Sequence, residues 1–193
     1  MIDEKTAREH VVSAADRLFY AHGVQAVGMD TVRTESGVSL KRIYALFPSK
    51  EDLIVAVLRH RTDQWNSGLA TAVDGAGTPR EKLLAVFDFL AHWFRDDDFR
   101  GCAFINVFGE LGADSSRVAE VVREQKASFR RDVAALARAA GGPDRLAPQL
   151  VLLAEGAQTT AAISGDPDTA AHARAAADTL IRCALEGTDT AGS

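Results

Sequence analysis

The sequence predicts an all-α protein of about nine helices. Its 193 residues are 47% hydrophobic but only 7% aromatic, alanine is abundant, and proline occurs just five times. Apolar residues recur at three- and four-residue spacing, as in amphipathic helices, and few segments show the alternation of a strand. The length suits one domain or two small ones and is sufficient to bury a hydrophobic core.

The first three predicted helices are short or closely spaced. Residues 6–22 carry one apolar stripe, and Gly23 ends this helix as a C-terminal glycine does. Residues 30–36 and 40–47 form the next two helices, separated by the turn Gly37-Val38-Ser39. Two short helices joined by a glycine-containing turn form a helix-turn-helix, whose second helix can enter the major groove of DNA.

Six longer segments follow, most of them separated by glycine, proline or serine. They are predicted as helices at 50–73, 80–94, 102–111, 117–140, 146–163 and 169–186. The first of them exceeds 20 residues and is long enough to bridge from the small N-terminal module to a second one. We therefore expect a helix-turn-helix domain at 1–50 and a second helical domain at 51–193.

The charges are distributed unevenly along the chain. Residues 1–61 hold nine Lys or Arg and eight Asp or Glu, whereas the remainder holds 13 and 19, which gives the net charge of −5. This distribution fits a small phosphate-contacting module on an acidic body. The chain has no run of about 20 apolar residues and its N-terminus is charged, so a cytoplasmic location is expected.

The sequence lacks the motifs of several functional classes, which disfavours those classes. The sequence shows no Ser/His/Asp order, glycine-rich phosphate loop or HExxH, so no enzyme activity and no cofactor are expected. Asp96-Asp97-Asp98 is interpreted as a solvated loop and not as a metal site. Cys102 and Cys183 are interpreted as buried small apolar residues, with a redox role for Cys102 as the alternative.

The third helix carries the residues expected to meet DNA. Ile43, Leu46 and Phe47 form its core face. The exposed residues at its N-terminal end are Ser39, Leu40, Lys41, Arg42 and Tyr44. Arg42 is placed to reach a guanine edge and Lys41 a base or a phosphate, while Tyr44 and Lys50 suit the DNA backbone. The alternative is a basic pair on a solvated helix face.

A set of motifs occurs together within residues 18–58: Leu18-Phe19 and Gly23, the turn Gly37-Val38-Ser39, the pair Ile43-Tyr44 and the run Phe47-Pro48-Ser49-Lys50-Glu51-Asp52-Leu53. Their resemblance to the TetR family of transcriptional regulators is close. It implies a phosphate contact for Thr31, a recognition face from Ser39 through Arg42 with Tyr44, and a phosphate contact for Lys50.

Two positions depart from the pattern of that family. Arg33 stands where a small alanine is usual, so it either extends to solvent or changes the packing of the two helices. Leu46 replaces a residue that is usually aromatic or histidine and often contacts phosphate, which puts that contact in doubt.

The resemblance also implies a homodimer, a repressor that binds a palindromic operator. The resemblance implies that dimerisation uses the eighth and ninth helices, about 146–186, and their small residues suit close packing. These residues are Ala154, Gly156, Ala157, Ala161, Ala162, Ala173, Ala176, Ala177, Leu180, Ile181 and Ala184. The alternative is that this stripe belongs to the core of a single chain.

The resemblance further implies a small, largely apolar effector that binds the second domain and releases the operator. Phe87, Leu90 and Trp93 are candidate apolar contacts. Cys102, Asn106 and Glu110 lie one turn apart on the sixth helix and are candidate polar or reactive contacts. Three alternatives stay open: the apolar candidates are plain core, Asn106 and Glu110 make structural hydrogen bonds, or the regulator has no small-molecule ligand.

Overall fold

A computed structural model describes residues 3–189, and these residues form nine α-helices and no strand. The helices are α1 (Glu4–His22), α2 (Met29–Ser36), α3 (Leu40–Leu46), α4 (Lys50–Asp74), α5 (Pro79–Trp93), α6 (Ala103–Leu111), α7 (Ser116–Ala139), α8 (Leu146–Ser164) and α9 (Thr169–Asp189). The all-α prediction is confirmed, and the predicted helix ends lie within three residues of those observed.

Side-chain caps fix where several helices begin. Asp3 accepts a hydrogen bond from the Thr6 amide at 2.9 Å and so caps α1. Thr78 and Glu81 form a reciprocal capping box at the start of α5, with distances of 3.2 and 2.8 Å. Each cap satisfies backbone N–H groups that have no partner inside the helix.

The helices pack into two compact units. The first unit comprises the chain up to residue 64 together with 102–124, and the second comprises 65–101 and the chain from 125 onward. Helices α4 and α7 each contribute residues to both units. The boundary predicted at residue 50 separates a DNA-binding domain from a second helical domain, whereas the two units are defined by packing. That functional boundary stays a prediction.

The core of the first unit joins the three N-terminal helices to α6 and to the first parts of α4 and α7. Its buried residues include Val11, Ala15, Phe19, Val32, Ile43, Phe47, Leu53, Leu58, Cys102, Phe104, Val118 and Val122. Cys102 is therefore a buried core residue, as expected. Cys183 lies in the second unit and is exposed, so the prediction that it is buried is wrong.

The second unit is built around α5, α8 and α9. Its buried residues include Leu83, Phe87, Leu90, Phe129, Leu146, Leu150 and Ile181. The small residues of α8 and α9 are divided between this core and the surface. Ala154, Ala157, Ala161, Ala173, Ala177, Ile181 and Ala184 are buried in the single chain, whereas Gly156, Ala162 and Ala176 are exposed.

The buried part of this stripe thus packs α8 and α9 within one chain. This is the alternative that the sequence left open for these residues, because alanine at helix contacts lets two helices approach closely whether or not they belong to the same chain.

Candidate nucleic-acid interface and ligand site

The turn between α2 and α3 is fixed by a glycine and a cap. Gly37 has a φ of +67°, in the left-handed region, and its amide donates to the carbonyl oxygen of Arg33 at 3.1 Å. The Ser39 hydroxyl then accepts from the Arg42 amide at 3.4 Å and caps α3. Val38 and Ile43 are buried beneath these residues. The local sequence therefore sets both the angle and the starting point of α3.

The residues predicted to contact DNA lie on α2, α3 and the start of α4. Thr31, in the first turn of α2, is exposed. Ser39, Lys41 and Tyr44 are also exposed, and Tyr44 keeps 44% of its surface. An exposed tyrosine presents both an apolar ring and a hydroxyl, which suits a surface that meets another molecule. Leu40 is half-buried.

Arg42 is already engaged within the protein. Its Nη2 donates to the main-chain oxygen of Asp3 at 2.8 Å, and the side chain is half-buried. The same Asp3 caps α1, so Arg42 links the start of α1 to α3. A base contact by Arg42 has to replace this hydrogen bond or share the guanidinium with it, which the sequence alone did not show.

Lys50 is held at the first residue of α4. Its Nζ donates to the Gln25 carbonyl oxygen at 3.4 Å. Partial burial lowers the pKa of Lys50, and the nearby Glu110 carboxylate opposes that effect. The ammonium group is therefore positioned against the loop that joins α1 to α2.

The two departures from the family pattern have clear structural outcomes. Arg33 extends to solvent and forms an ion pair with Asp30 at 3.3 Å. Its neighbour Val32 is buried, so the arginine does not displace the apolar contact between the helices. Leu46 is partly buried, and its carbonyl oxygen accepts a hydrogen bond from Arg8 at 3.4 Å. The Arg8 guanidinium also lies 4.5 Å from the centre of the Phe47 ring. No local pattern in the sequence pointed to Arg8, because its contact with Phe47 joins residues 39 apart.

The six candidate ligand residues fall into different units. Phe87 and Leu90 are fully buried in the core of the second unit, where Trp93 is partly buried. Cys102 and Glu110 belong to the first unit, the former in its core and the latter half-buried. Asn106, in the same unit, is exposed. Three candidates thus lie in each unit.

Glu110 makes an extensive set of hydrogen bonds to the α1–α2 connector. Its two carboxylate oxygens accept from the Val24 amide at 3.1 Å and the Gln25 amide at 2.9 Å. The Gln25 side chain in turn donates to the Glu110 main-chain oxygen at 2.8 Å. A Cβ on Gly23, which has a φ of +84°, would lie 3.1 Å from both oxygens. The carboxylate therefore has a structural role, as the alternative for this residue supposed.

A group of residues in the second unit was missed by sequence reasoning. Trp65 makes edge-to-face contacts with Phe89, Trp93 and Phe129, at centroid distances of 5.2, 5.7 and 5.4 Å. Its indole Nε1 is buried without a hydrogen-bond partner among the residues that the structure describes.

Two glutamines of the same unit share this property. Gln125 on α7 and Gln158 on α8 are 5% and 1% exposed, and the side-chain oxygen of each is buried without a partner in the described chain. The Gln158 amide nitrogen donates to the Ala154 carbonyl oxygen at 3.2 Å. Buried amide oxygens without partners cost about 1–3 kcal/mol each. Glutamine inside the apolar run of α8 was the signal available in the sequence.

No group of three His, Cys, Asp or Glu side chains within residues 3–186 is arranged to hold a metal ion. Among the described helices, none combines the length and apolar character needed to cross a membrane.

Known proteins similar to this chain share both its N-terminal motif and its fold. The family model described as "Bacterial regulatory proteins, tetR family" matches residues 11–57. A TetR-family transcriptional regulator from Streptomyces coelicolor has 27% identity and a TM-score of 0.88, with 94% of this chain and 97% of that chain covered. A TetR transcriptional regulator from Streptomyces avermitilis has 32% identity and a TM-score of 0.79, with 92% and 97% covered.

Curated relatives have the same character. The HTH-type transcriptional activator FasR of Mycolicibacterium smegmatis is 36% identical over 89 residues, which are 44% of this chain and 41% of that protein. The HTH-type transcriptional regulator BetI of Brucella canis is 25% identical over 194 residues, 97% and 96% of the two chains. The chain spans 41% to 61% of the length of the first curated relatives that it matches. The helix-turn-helix, the nine-helix fold and the 32% identity to a structure covered almost throughout lead to one conclusion: the chain belongs to the TetR family of transcriptional regulators, which are not enzymes.

Proposed function

We propose that this regulator is a cytoplasmic repressor that binds a palindromic DNA operator as a homodimer and is released by a small, largely apolar effector. The observation that carries the proposal is the face of α3. Lys41 and Tyr44 are exposed on a helix that is anchored from behind by Ile43 and Phe47. A short, rigidly held helix with a basic and an aromatic residue exposed suits the major groove.

The proposed DNA contacts divide into two kinds. Lys41 and Arg42 are assigned to base edges or adjacent phosphates, with Ser39, Leu40 and Tyr44 around them. Thr31 and Lys50 are assigned to the phosphate backbone. Backbone contacts fix the position of the protein on DNA, whereas base contacts carry the sequence preference.

The proposed dimer uses the exposed face of α8 together with α9, about 146–186. Leu152 and Ile163 are 73% and 83% exposed. They are eleven residues apart, about three turns, and so lie on the same face of α8. Gly156 and Thr159, between them in sequence, are also exposed. Large apolar side chains exposed on one helix face favour burial against a second copy of the chain.

The proposed effector site lies in the second unit, where Trp65, Gln125 and Gln158 each bury a polar atom without a partner in the described chain. A ligand with an apolar body suits the rings around Trp65. A hydrogen-bond acceptor on that ligand would satisfy the Trp65 indole, and a donor would satisfy a glutamine oxygen. The predicted contacts of Phe87, Leu90 and Trp93 belong to this proposal, whereas Cys102, Asn106 and Glu110 lie in the other unit.

A regulator without a small-molecule ligand is the second candidate. The observation in its favour is that Phe87 and Leu90 are 1% and 0% exposed, as expected of closed core and not of a pocket wall. A thermal-shift screen with a metabolite and drug panel separates the two, because a ligand that binds only the folded protein raises its melting temperature.

Selection of bound sequences from a randomised DNA pool tests the proposal directly. The expected result is a palindrome whose half-sites are separated by about one helical turn or a multiple of it. Recovery of unrelated sequences at the frequency of the starting pool would contradict operator binding. A reporter gene placed behind the selected operator then distinguishes repression from activation.

A further inference from the structure

A cavity lies within the first unit and not among Trp65, Gln125 and Gln158, and its lining includes Asn106 and Glu110, two of the ligand contacts predicted from the sequence. It has a volume of about 350 Å³ and is lined by α1, the α1–α2 connector, α4 and α6. Its walls are mostly apolar and include Phe19, Ile54, Val57, Leu58 and Val107. This volume and composition fall within the range of small-molecule sites, about 300–1,000 Å³ with few polar groups.

A partly buried arginine provides hydrogen-bond donors in this cavity. The Arg61 guanidinium stacks on the Tyr20 ring, 4.0 Å from its centre, and Nε donates to the Asp16 carboxylate. The side chains of Arg61 and Asp16 are only 17% and 14% exposed. Within the described chain, Nε is the one guanidinium nitrogen of Arg61 with a hydrogen-bond partner. The terminal N–H groups therefore remain available to an acceptor in the cavity.

The charges that line the cavity are already compensated. Asp16 is paired with Arg61, and the Glu110 carboxylate accepts from the Val24 and Gln25 amides. An additional charge would enter this site without a counter-charge and would lose its hydration. A neutral molecule avoids that cost and still meets an apolar wall.

We infer that this cavity binds a neutral, largely apolar small molecule whose hydrogen-bond acceptor is received by Arg61. The site is separate from the effector site proposed in the second unit, and it does not depend on that proposal. Its walls include Glu110, which holds the connector between α1 and α2. An occupant of the cavity therefore lies beside the residue that fixes the start of the helix-turn-helix.

Titration of the full chain with three probes of the same shape tests this inference. The probes are 2-acetylnaphthalene, 2-naphthoate and 2-naphthylmethylammonium, and binding is followed by calorimetry. The neutral ketone is expected to bind, and both ions are expected to bind more weakly. Absence of ketone binding, or equal or tighter binding of either ion, overturns the inference.

Two variants locate the binding. Ala103→Leu fills the cavity from α6, and Asn106→Trp obstructs it from an exposed position of the same helix. Ala113→Leu is the matched control on an exposed turn of the same unit. Ketone binding should be lost in both cavity variants and retained in the control, with circular dichroism confirming the fold. Binding that survives in both folded variants, or in Asn106→Trp if Ala103→Leu does not fold, overturns the assignment to this cavity.

Discussion

Neighbouring residues of α3 differ in what they must give up to contact DNA. Lys41 is exposed, whereas Arg42 donates to the Asp3 main-chain oxygen at 2.8 Å. Arg42 has to exchange that hydrogen bond for one to DNA, so its net contribution is smaller than its contact alone would give. Lys41 is exposed on the surface and loses no comparable hydrogen bond of the described chain when it contacts DNA. The more exposed cation is therefore the better test of the recognition helix.

Lys41→Ala should weaken operator binding by about 1–2 kcal/mol, because it removes a base or phosphate contact. A gel-shift titration at fixed salt with the selected operator measures the change. Lys82→Ala on α5, in the other unit, is the control and should bind as the unchanged protein does. Equal operator affinity of the two variants would show that Lys41 does not contribute to DNA binding.

Glu110→Gln should destabilise the protein by about 1–3 kcal/mol. The substitution leaves one side-chain oxygen for two backbone amides and turns an NH₂ group toward one of them. Urea unfolding followed by circular dichroism measures the difference. Glu120→Gln, at an exposed position of α7, is the matched control. Unfolding midpoints that match for the two variants would show that the hydrogen bonds to Val24 and Gln25 add no net stability.

At the scale of single elements, the angle between α2 and α3 depends on one glycine. Gly37 has a φ of +67°, and nothing lies within 4 Å of a Cβ added there. The cost of a side chain is therefore one of backbone conformation and not of space. Gly109, inside α6, also has nothing within 4 Å, but its φ lies outside the left-handed region.

Gly37→Ala and Gly109→Ala should change stability in opposite directions. The first should lower the free energy of unfolding by about 1–2 kcal/mol because alanine is strained in the left-handed region. The second should raise it by about 0.5–1 kcal/mol because alanine favours a helix interior. Thermal unfolding of the two variants side by side provides the measurement. A shift of the same sign in both would contradict the conformational explanation.

Helix α8 has a buried face and an exposed apolar face, and the second is the one available to a partner. The double variant Leu152→Lys and Ile163→Lys should therefore be monomeric in sedimentation velocity, because four lysines would meet across a two-fold interface. Loss of the dimer should also weaken operator binding. Ala139→Lys, on the exposed end of α7, is the control and should remain dimeric. A dimer that persists in the double variant would place the interface elsewhere.

For the whole molecule, local signals in the sequence determined most of the fold. Gly37, Pro79 and Ser39 are local signals for where helices begin or end. The positions of the helices and the helix-turn-helix could therefore be predicted from such residues. Tertiary contacts could not be predicted from local sequence, because they join residues that are distant along the chain. The Arg42 link to Asp3, the Glu110 link to Val24 and the burial of Gln158 each depend on which surfaces pack together. The small residues of α8 and α9 predicted close packing correctly but not whether the neighbour was the same chain.

The uneven charge of the chain favours selective over general DNA binding. The net charge of −5 repels DNA at long range, and the cations proposed to attract it, Lys41, Arg42 and Lys50, lie on α3 and at the start of α4. Binding should then depend on a limited set of phosphate contacts, with two copies of each in the proposed dimer. The Lys50 ammonium is proposed as one of them, and it is held against the Gln25 carbonyl oxygen at 3.4 Å.

Operator affinity should consequently fall steeply as salt rises, because each phosphate contact releases counterions. Lys50→Ala should weaken binding across all sequences and reduce the slope of log affinity against log salt by about 2, since a dimer loses two contacts at about 0.9 each. Titrations between 50 and 200 mM salt, a range over which six to ten contacts change affinity by about 10³–10⁵, measure that slope. Lys82→Ala should leave it unchanged. A slope that Lys50→Ala does not alter would show that Lys50 serves the α1–α2 connector alone and that other groups hold the phosphates.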